Sequence, residues 1–195
     1  MSMALRQPMT LADFLAWEER QALRYEFDGF RPVAMTGGTS EHALIQSNLI
    51  TALSNRLRGG PCRVFGSHLK IEAAGSIRYP DAFVVCSPLP RGTTVVSDPI
   101  VVFEIISPST SGTDRIVKMR EYGNTPSIQR YVILEQTQQA ATVFSRQSSP
   151  WAAVVALGEE EIALPELGIT LPLAELYQDV PLPPPPPSED EPPRM

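Results

Sequence analysis

At 195 residues, 43% apolar and 19% charged, the chain is long enough to bury one core, and it shows neither internal repeats nor an apolar stretch able to span a bilayer. Its formal net charge is −6, and Glu189, Asp190 and Glu191 against Arg194 carry −2 of that, leaving −4 on the body. Such a balance argues against a polycationic nucleic-acid binder while leaving room for local basic patches, and the early acids of MSMALRQPMTLADFLAWEERQ argue against a signal peptide, so a cytoplasmic location is expected.

Residues 1–9 read as a flexible N-terminus, residues 10–180 as one domain, and residues 181–195 as a disordered, Pro-rich acidic tail, PLPPPPPSEDEPPRM. Within the domain, Thr10 with Asp13 opens a short capped helix over LADFLAWEERQ. RYEFDGFRPVAM predicts a hairpin turning at Asp28-Gly29, with Tyr25 and Phe27 against Phe30 and Val33. Next comes the clearest helix, with Ser40 as its N-cap, a stripe of Ile45, Leu49, Ala52 and Leu53, and a stop at Gly59-Gly60. CRVFGSHLKIEA and SIRYPDAFVVC predict antiparallel strands joined at Ala74-Gly75. PIVVFEIIS, apolar on both faces, predicts a covered central strand. After the Ser107-Pro108-Ser109-Thr110 turn a helix runs from about 112 to 122, followed by strands in IQRYVILEQ, AATVFSR, WAAVVALG and EEIAL, and a short helix in LPLAELYQ. The order describes an α/β (α+β) fold, a mixed sheet flanked by helices. Cys62 and Cys86 have neither metal-ligand nor disulfide-framework spacing, and are expected as buried thiols.

Two acids stand out because their runs are otherwise apolar: Asp81 in RYPDAFVV and Glu104 in PIVVFEIISPST. An ionised carboxylate there is costly unless it is paired or holds a metal. Pro80 sets Asp81 at a strand start or bulge. Two acids on neighbouring strands can converge on Mg²⁺ or Mn²⁺, which accepts one or two carboxylates, keeps waters and takes phosphate oxygens. Lys118, in TDRIVKMREYG, could then offset charge on the phosphate. A bland account exists for each residue. Asp81 and Glu104 could pair with Arg78 or Arg115, and Lys118 could be a solvated partner of Asp114, because Ile116, Met119 and Gly123 define the opposite helix face. His42 could be a helix-start histidine or a site residue. Glu26 could be a third carboxylate or a partner of Arg24 or Arg31, and Asp114 a first-turn acid favoured by the helix dipole. Gly37-Gly38-Thr39-Ser40 lacks the ending of a P-loop and reads as loop and cap.

The set RYEFDG, SEHALI, YPDAFVV, VVFEIISPST, DRIVKMREY and RYVIL, in that order over about residues 10–177, resembles the Uma-two family of restriction-endonuclease-like proteins within the PD-(D/E)XK nuclease superfamily. The resemblance implies a restriction-endonuclease-like core with an N-terminal helix and hairpin, in which Asp81 and Glu104 bind metal, and it suggests DNA as substrate. The superfamily lysine two residues after the glutamate is replaced by Ile106; Lys118 on the following helix fits the family's relocated position. The expectation is therefore a Mg²⁺- (or Mn²⁺-) dependent endodeoxyribonuclease, a homodimer if both strands are cut, with no membrane association. The alternative is a non-catalytic nucleic-acid- or protein-binding module on the same fold.

Overall fold

The computed structural model describes residues 9–35, 37–106, 112–146 and 151–184, with the side chains of 112–114 excepted. The expectations for the N-terminal residues 1–8, the turn at 107–110 and the tail beyond 184 lie outside these residues.

Helix α1 (Leu11–Glu18) begins where the sequence places it, with the Thr10 hydroxyl accepting from the Asp13 amide. The hairpin is made by β1 (Tyr25–Phe27) and β2 (Pro32–Ala34). Its turn is longer than the two residues expected: Asp28 accepts from the amides of Phe30 and Arg31. Phe27 consequently pairs with Pro32, and Phe30, drawn into the turn, is 58% exposed. Helix α2 (Ser40–Leu57) is capped by Thr39, one residue before the expected Ser40, through its hydroxyl and the His42 amide. The predicted stripe of Ile45, Leu49, Ala52 and Leu53 is buried, as is Leu57.

The two expected long strands are each broken. CRVFGSHLKIEA divides into β3 (Arg63–Gly66) and β4 (Lys70–Ala73), and SIRYPDAFVVC into β5 (Ser76–Arg78) and β6 (Ala82–Val85). The halves pair antiparallel as anticipated, β4 with β5 and β3 with β6. Ala74 and Gly75, both at positive φ, make the tight turn between β4 and β5. Pro80, which has no ladder donor, falls at the break between β5 and β6. The break sends each half to a different sheet. Strands β7 (Val95–Val96), β8 (Val101–Ile106), β9 (Arg130–Glu135), β10 (Ala140–Ser145), β11 (Ala152–Leu157), β12 (Glu161–Leu164) and β13 (Ile169–Pro172), with helices α3 (Gly112–Gly123) and α4 (Leu173–Leu176), complete the fold. One sheet runs β2-β1-β5-β4-β7, the main sheet runs β11-β10-β9-β8-β6-β3, and β12-β13 form a ribbon.

Strand β8 is buried at all six positions, between parallel β9 and antiparallel β6. Its alternation feeds two cores. Val101, Phe103 and Ile105 pack with the α2 stripe, the ribbon and α4; Val102 and Ile106 pack with Ile71, Tyr122, Ile128 and Tyr131 on the other face. Glu104 shares the register of this second face, and so is directed at α3 rather than at water.

The cysteine expectation is corrected. Cys62 and Cys86, flanking the β3–β6 pair, form a disulfide with a sequence separation of 24. The spacing carried no disulfide signature because their proximity is created by strand pairing. Closing a loop of that length stabilises by about 3 kcal/mol. Equilibrium urea unfolding with and without reductant is expected to show that loss in the reduced protein and in Cys62→Ser/Cys86→Ser. An unchanged midpoint would mean the bond contributes nothing.

Candidate active site

The break at Pro80 places Asp81 just before β6, beside the neighbouring strand β8. One Asp81 oxygen accepts from the Ile105 amide at 2.6 Å, so the carboxylate is tied to the residue after Glu104. The other lies 2.8 Å from His42 Nε2. Gln136 Nε2 stands 3.2 Å from His42 Nδ1, and Gln136 Oε1 accepts from the Thr39 hydroxyl. That chain of contacts directs the Nε2 proton of neutral His42 at Asp81. The Asp81 carboxylate, through its hydrogen bond and charge, raises the His42 pKa above its ordinary value despite partial burial. Gly38 lets the loop before α2 close on the ring, since a Cβ there would meet His42 Cγ at 3.1 Å. The helix-start reading of His42 is therefore incomplete: it begins α2 and also touches Asp81.

Glu104 is 5% exposed. One oxygen accepts from Lys118 Nζ at 3.1 Å and from the Tyr122 hydroxyl at 2.8 Å. Burial pushes its pKa up, Lys118 opposes, and the charges of Asp81 and Glu26 add to the rise, bringing it to about 7. Lys118, 8% exposed, also lies 3.6 Å from Glu26. The expected helix orientation is corrected here. Ile116 and Met119 are 66% and 38% exposed, while Lys118, Glu121 and Tyr122 are buried. Helix α3 thus turns its polar face inward, because that face meets carboxylates. Spacing of i, i+3 and i+4 marked Lys118, Glu121 and Tyr122 as one stripe, but hydropathy pointed the other way.

Glu26 is neither a partner of Arg24 nor of Arg31. It accepts from Arg78 at 3.0 Å and from the Tyr79 amide at 3.1 Å. Burial alone would raise its pKa, but Lys118 and Arg78 outweigh that and hold it below the ordinary value. Arg78 also grips Glu121 with two contacts of 2.7 Å, and Ser76 donates to the same carboxylate. The pairing of Asp81 or Glu104 with Arg78 or Arg115 does not occur; Arg115 bonds Glu135. The Asp114 side chain lies outside the described residues. Glu121, Gln136 and Gln46, whose amide donates to the Asp81 carbonyl at 2.8 Å, were not singled out, and Arg78 was weighed only as a partner of Asp81 or Glu104.

Glu104, Lys118, Glu26, Arg78 and Glu121 form one connected group, which Asp81 joins only through the Ile105 amide beside Glu104. Asp81, Glu104, Glu26 and Glu121 supply four carboxylates against the two fixed cations Lys118 and Arg78. That excess of buried acid, felt most strongly at Glu104, suits a divalent cation. The donors are hard oxygens, as Mg²⁺ requires. Among the described residues no cluster of three or more His, Cys, Asp or Glu forms a ready-made cage. An ion here would rest on two carboxylates, Asp81 and Glu104, and keep most of its waters. Asp81 and His42 open onto a cleft of about 740 Å³ whose walls include Leu23, Arg24, Met35, Gln46 and Gln136. Glu104, Lys118 and Tyr122 lie behind it.

The mixed sheet with α2 on one face and α3 on the other is a nuclease-like α/β fold. A solved structure from Anabaena variabilis, described as "a putative nuclease belonging to DUF820", has this fold, with a TM-score of 0.74, 18% identity, and coverage of 87% of this chain and 98% of that one. The family model described as "Uma2: Putative restriction endonuclease" matches residues 11–174, and the chain belongs to the Uma2 family. Two Synechocystis relatives are themselves uncharacterized. The protein slr1290 is 31% identical over 170 residues, covering 85% of this chain and 90% of its own; sll1609 is 26% identical over 142 residues, covering 70% and 80%. Among the described residues no helix is long and apolar enough to cross a membrane.

Proposed function

We propose that this Uma2 protein is a metal-dependent endodeoxyribonuclease, with Asp81, Glu104 and Lys118 as its working residues. The single observation that supports this most is geometric: Asp81 is bonded to the Ile105 amide, next in the strand to the buried Glu104 that Lys118 and Tyr122 contact. Asp81 and Glu104 would hold Mg²⁺ or Mn²⁺, which when bound lowers the pKa of a water and offsets charge on the scissile phosphate. Lys118 holds Glu104 in place and brings a positive charge to the inner wall of the site. His42, fixed by Gln136, orients Asp81 through its Nε2–H. Tyr122 donates to Glu104 and completes the dry inner wall.

Purified protein incubated with plasmid and Mg²⁺ or Mn²⁺ is expected to nick it, and EDTA or an Asp81→Ala/Glu104→Ala variant to abolish nicking. Equal nicking by that variant would sink the assignment. Failure of both to nick, with DNA binding retained, would favour the non-catalytic module on this fold.

The two titrations have one sign. Glu104 and His42 are both raised, so the metal-free fold binds more protons than the unfolded chain, and stability falls as pH rises through about 5–8. A divalent ion must displace the Glu104 proton, so its dissociation constant is expected to fall about tenfold per pH unit below pH 7 and to level off above it. Isothermal titration of Mn²⁺ at several pH values measures this; a flat profile would remove Glu104 from the ligand set.

A homodimer would present two such sites to a duplex. Support for one comes from β11, an edge strand with Val154, Val155 and Leu157 each more than half exposed. Sedimentation of the protein against Val155→Lys is the check, with a shift to monomer in the variant expected.

A further inference from the structure

The cleft says more about the form of the substrate than the two acids do. A duplex carries one phosphate charge per about 1.7 Å, and proteins that grip it commonly neutralise about six to ten phosphates. Few of the chain's cations stand at the cleft. Arg56, Lys70, Arg78, Arg115, Lys118 and Arg130 are each held by a carboxylate within the fold, and the chain is acidic overall. Among the described residues lining the cleft, Arg24 is the only lysine or arginine. Its Nη1 donates to the Ser67 carbonyl at 3.0 Å, which anchors the exposed guanidinium at the cleft wall and leaves further N–H donors with which a guanidinium can grip a phosphate.

Depth gives the same answer. The Asp81 side chain is 13% exposed and that of Glu104 7%, so a reacting phosphate has to descend into the cleft. A single strand is narrower than a duplex and can enter such a cleft alone. The cleft walls also differ in kind from a phosphate track. Leu23, 62% exposed, lies with Ala22 and Met35, and the amides of Gln46 and Gln136 lie with the hydroxyls of Thr39 and Ser67. Apolar surface beside uncharged donors and acceptors suits a base whose faces and pairing edge are uncovered.

We propose that the cleft takes an unpaired nucleic-acid strand, or the frayed end of a duplex, with Arg24 as the phosphate contact that leads the strand to Asp81. The proposal rests on the nuclease reading for what happens at Asp81, but not for what binds. Binding is therefore measured apart from cleavage, by fluorescence anisotropy of labelled single-stranded DNA, single-stranded RNA, a blunt duplex and a forked duplex of the same sequence, in Ca²⁺, with parallel cleavage assays in Mg²⁺ and Mn²⁺. Single strands and the fork are expected to bind at least about tenfold tighter than the blunt duplex, with a salt slope of about −0.7, the value for one phosphate contact. The DNA and RNA arms decide which sugar the cleft prefers. Arg24→Ala is expected to weaken all unpaired strands about equally and to make the slope shallower by about 0.7, without changing thermal unfolding. Arg120→Ala, on the outer side of α3, is expected to change nothing.

Equal or tighter binding of the blunt duplex, a slope steeper than about −4, or a loss in Arg120→Ala as large as that in Arg24→Ala would overturn the proposal. Binding of unpaired strands with no cleavage would leave it standing and remove the nuclease reading. Cleavage confined to intact duplex would do the reverse.

Discussion

Glu104→Gln is expected to lower metal-dependent cleavage by at least about 100-fold, beyond the roughly 10–100-fold typical of residues that only support a ligand. The same change is expected to make the metal-free protein more stable at pH 8. The amide keeps the size of the side chain and can accept from Tyr122, but has no charge to bury. Glu104 in the fold releases its proton near pH 7 rather than near the ordinary 4.5, because desolvation and the charges of Asp81 and Glu26 exceed what Lys118 returns. From about pH 4.5 to 7 the folded protein therefore holds a proton that the unfolded chain has lost, and stability declines across that window. At pH 5 the acid is protonated and Gln is its near equivalent, so the two proteins should unfold alike. At pH 8 the variant should be more stable by up to about 3 kcal/mol, or about 6–12 °C in Tm for a chain of this size. Thermal unfolding in EDTA at both pH values, alongside cleavage in Mn²⁺, separates the effects. A variant that is inactive and also destabilised at pH 8 would show Glu104 to be an ordinary structural partner.

Lys118→Met should be damaging on both counts. Lys118 stands between Glu104 and Glu26, at 3.1 and 3.6 Å, with little access to water. Methionine fills a similar volume and leaves two buried carboxylates facing each other. Breaking a buried pair from one side costs about 3–5 kcal/mol. The cost should shrink at pH 6, where Glu104 can take up a proton. If the lysine also stabilises charge on the phosphate, cleavage at saturating Mn²⁺ should fall about 10²–10³-fold. Lys118→Arg distinguishes the roles: it keeps the positive charge but not the compact ammonium. Arginine restoring stability without cleavage would mark Lys118 as positioned for the reaction; full activity in Lys118→Met would confine the lysine to structure.

Much of the frame was legible in the chain. The Thr10 cap, the α2 stripe, the doubly covered β8 and the Ala74-Gly75 turn each rest on local chemistry: a hydroxyl before a helix, a 3.6 period, an apolar run, a tight turn. The acids of the candidate site were equally legible, because a carboxylate in an apolar run is costly wherever it ends up. The partners of those acids were not. Arg78 went to Glu26 and Glu121, His42 to Asp81, and Cys62 to Cys86, each across tens of residues.

The orientation of α3 shows where the division falls. Read alone, Ile116 and Met119 form its apolar face, and the hydrophobic effect turns that face inward. In the fold, the surface beneath α3 carries Glu104, Glu26 and Arg78, so the helix buries Lys118, Glu121 and Tyr122 and leaves Ile116 exposed. The sequence by itself determined which residues could not remain unpaired: Asp81 and Glu104. Only the tertiary structure decided what pairs with them. Burial cost is a property of one residue in its run, whereas compensation depends on which strands and helices the topology brings within about 3 Å of it.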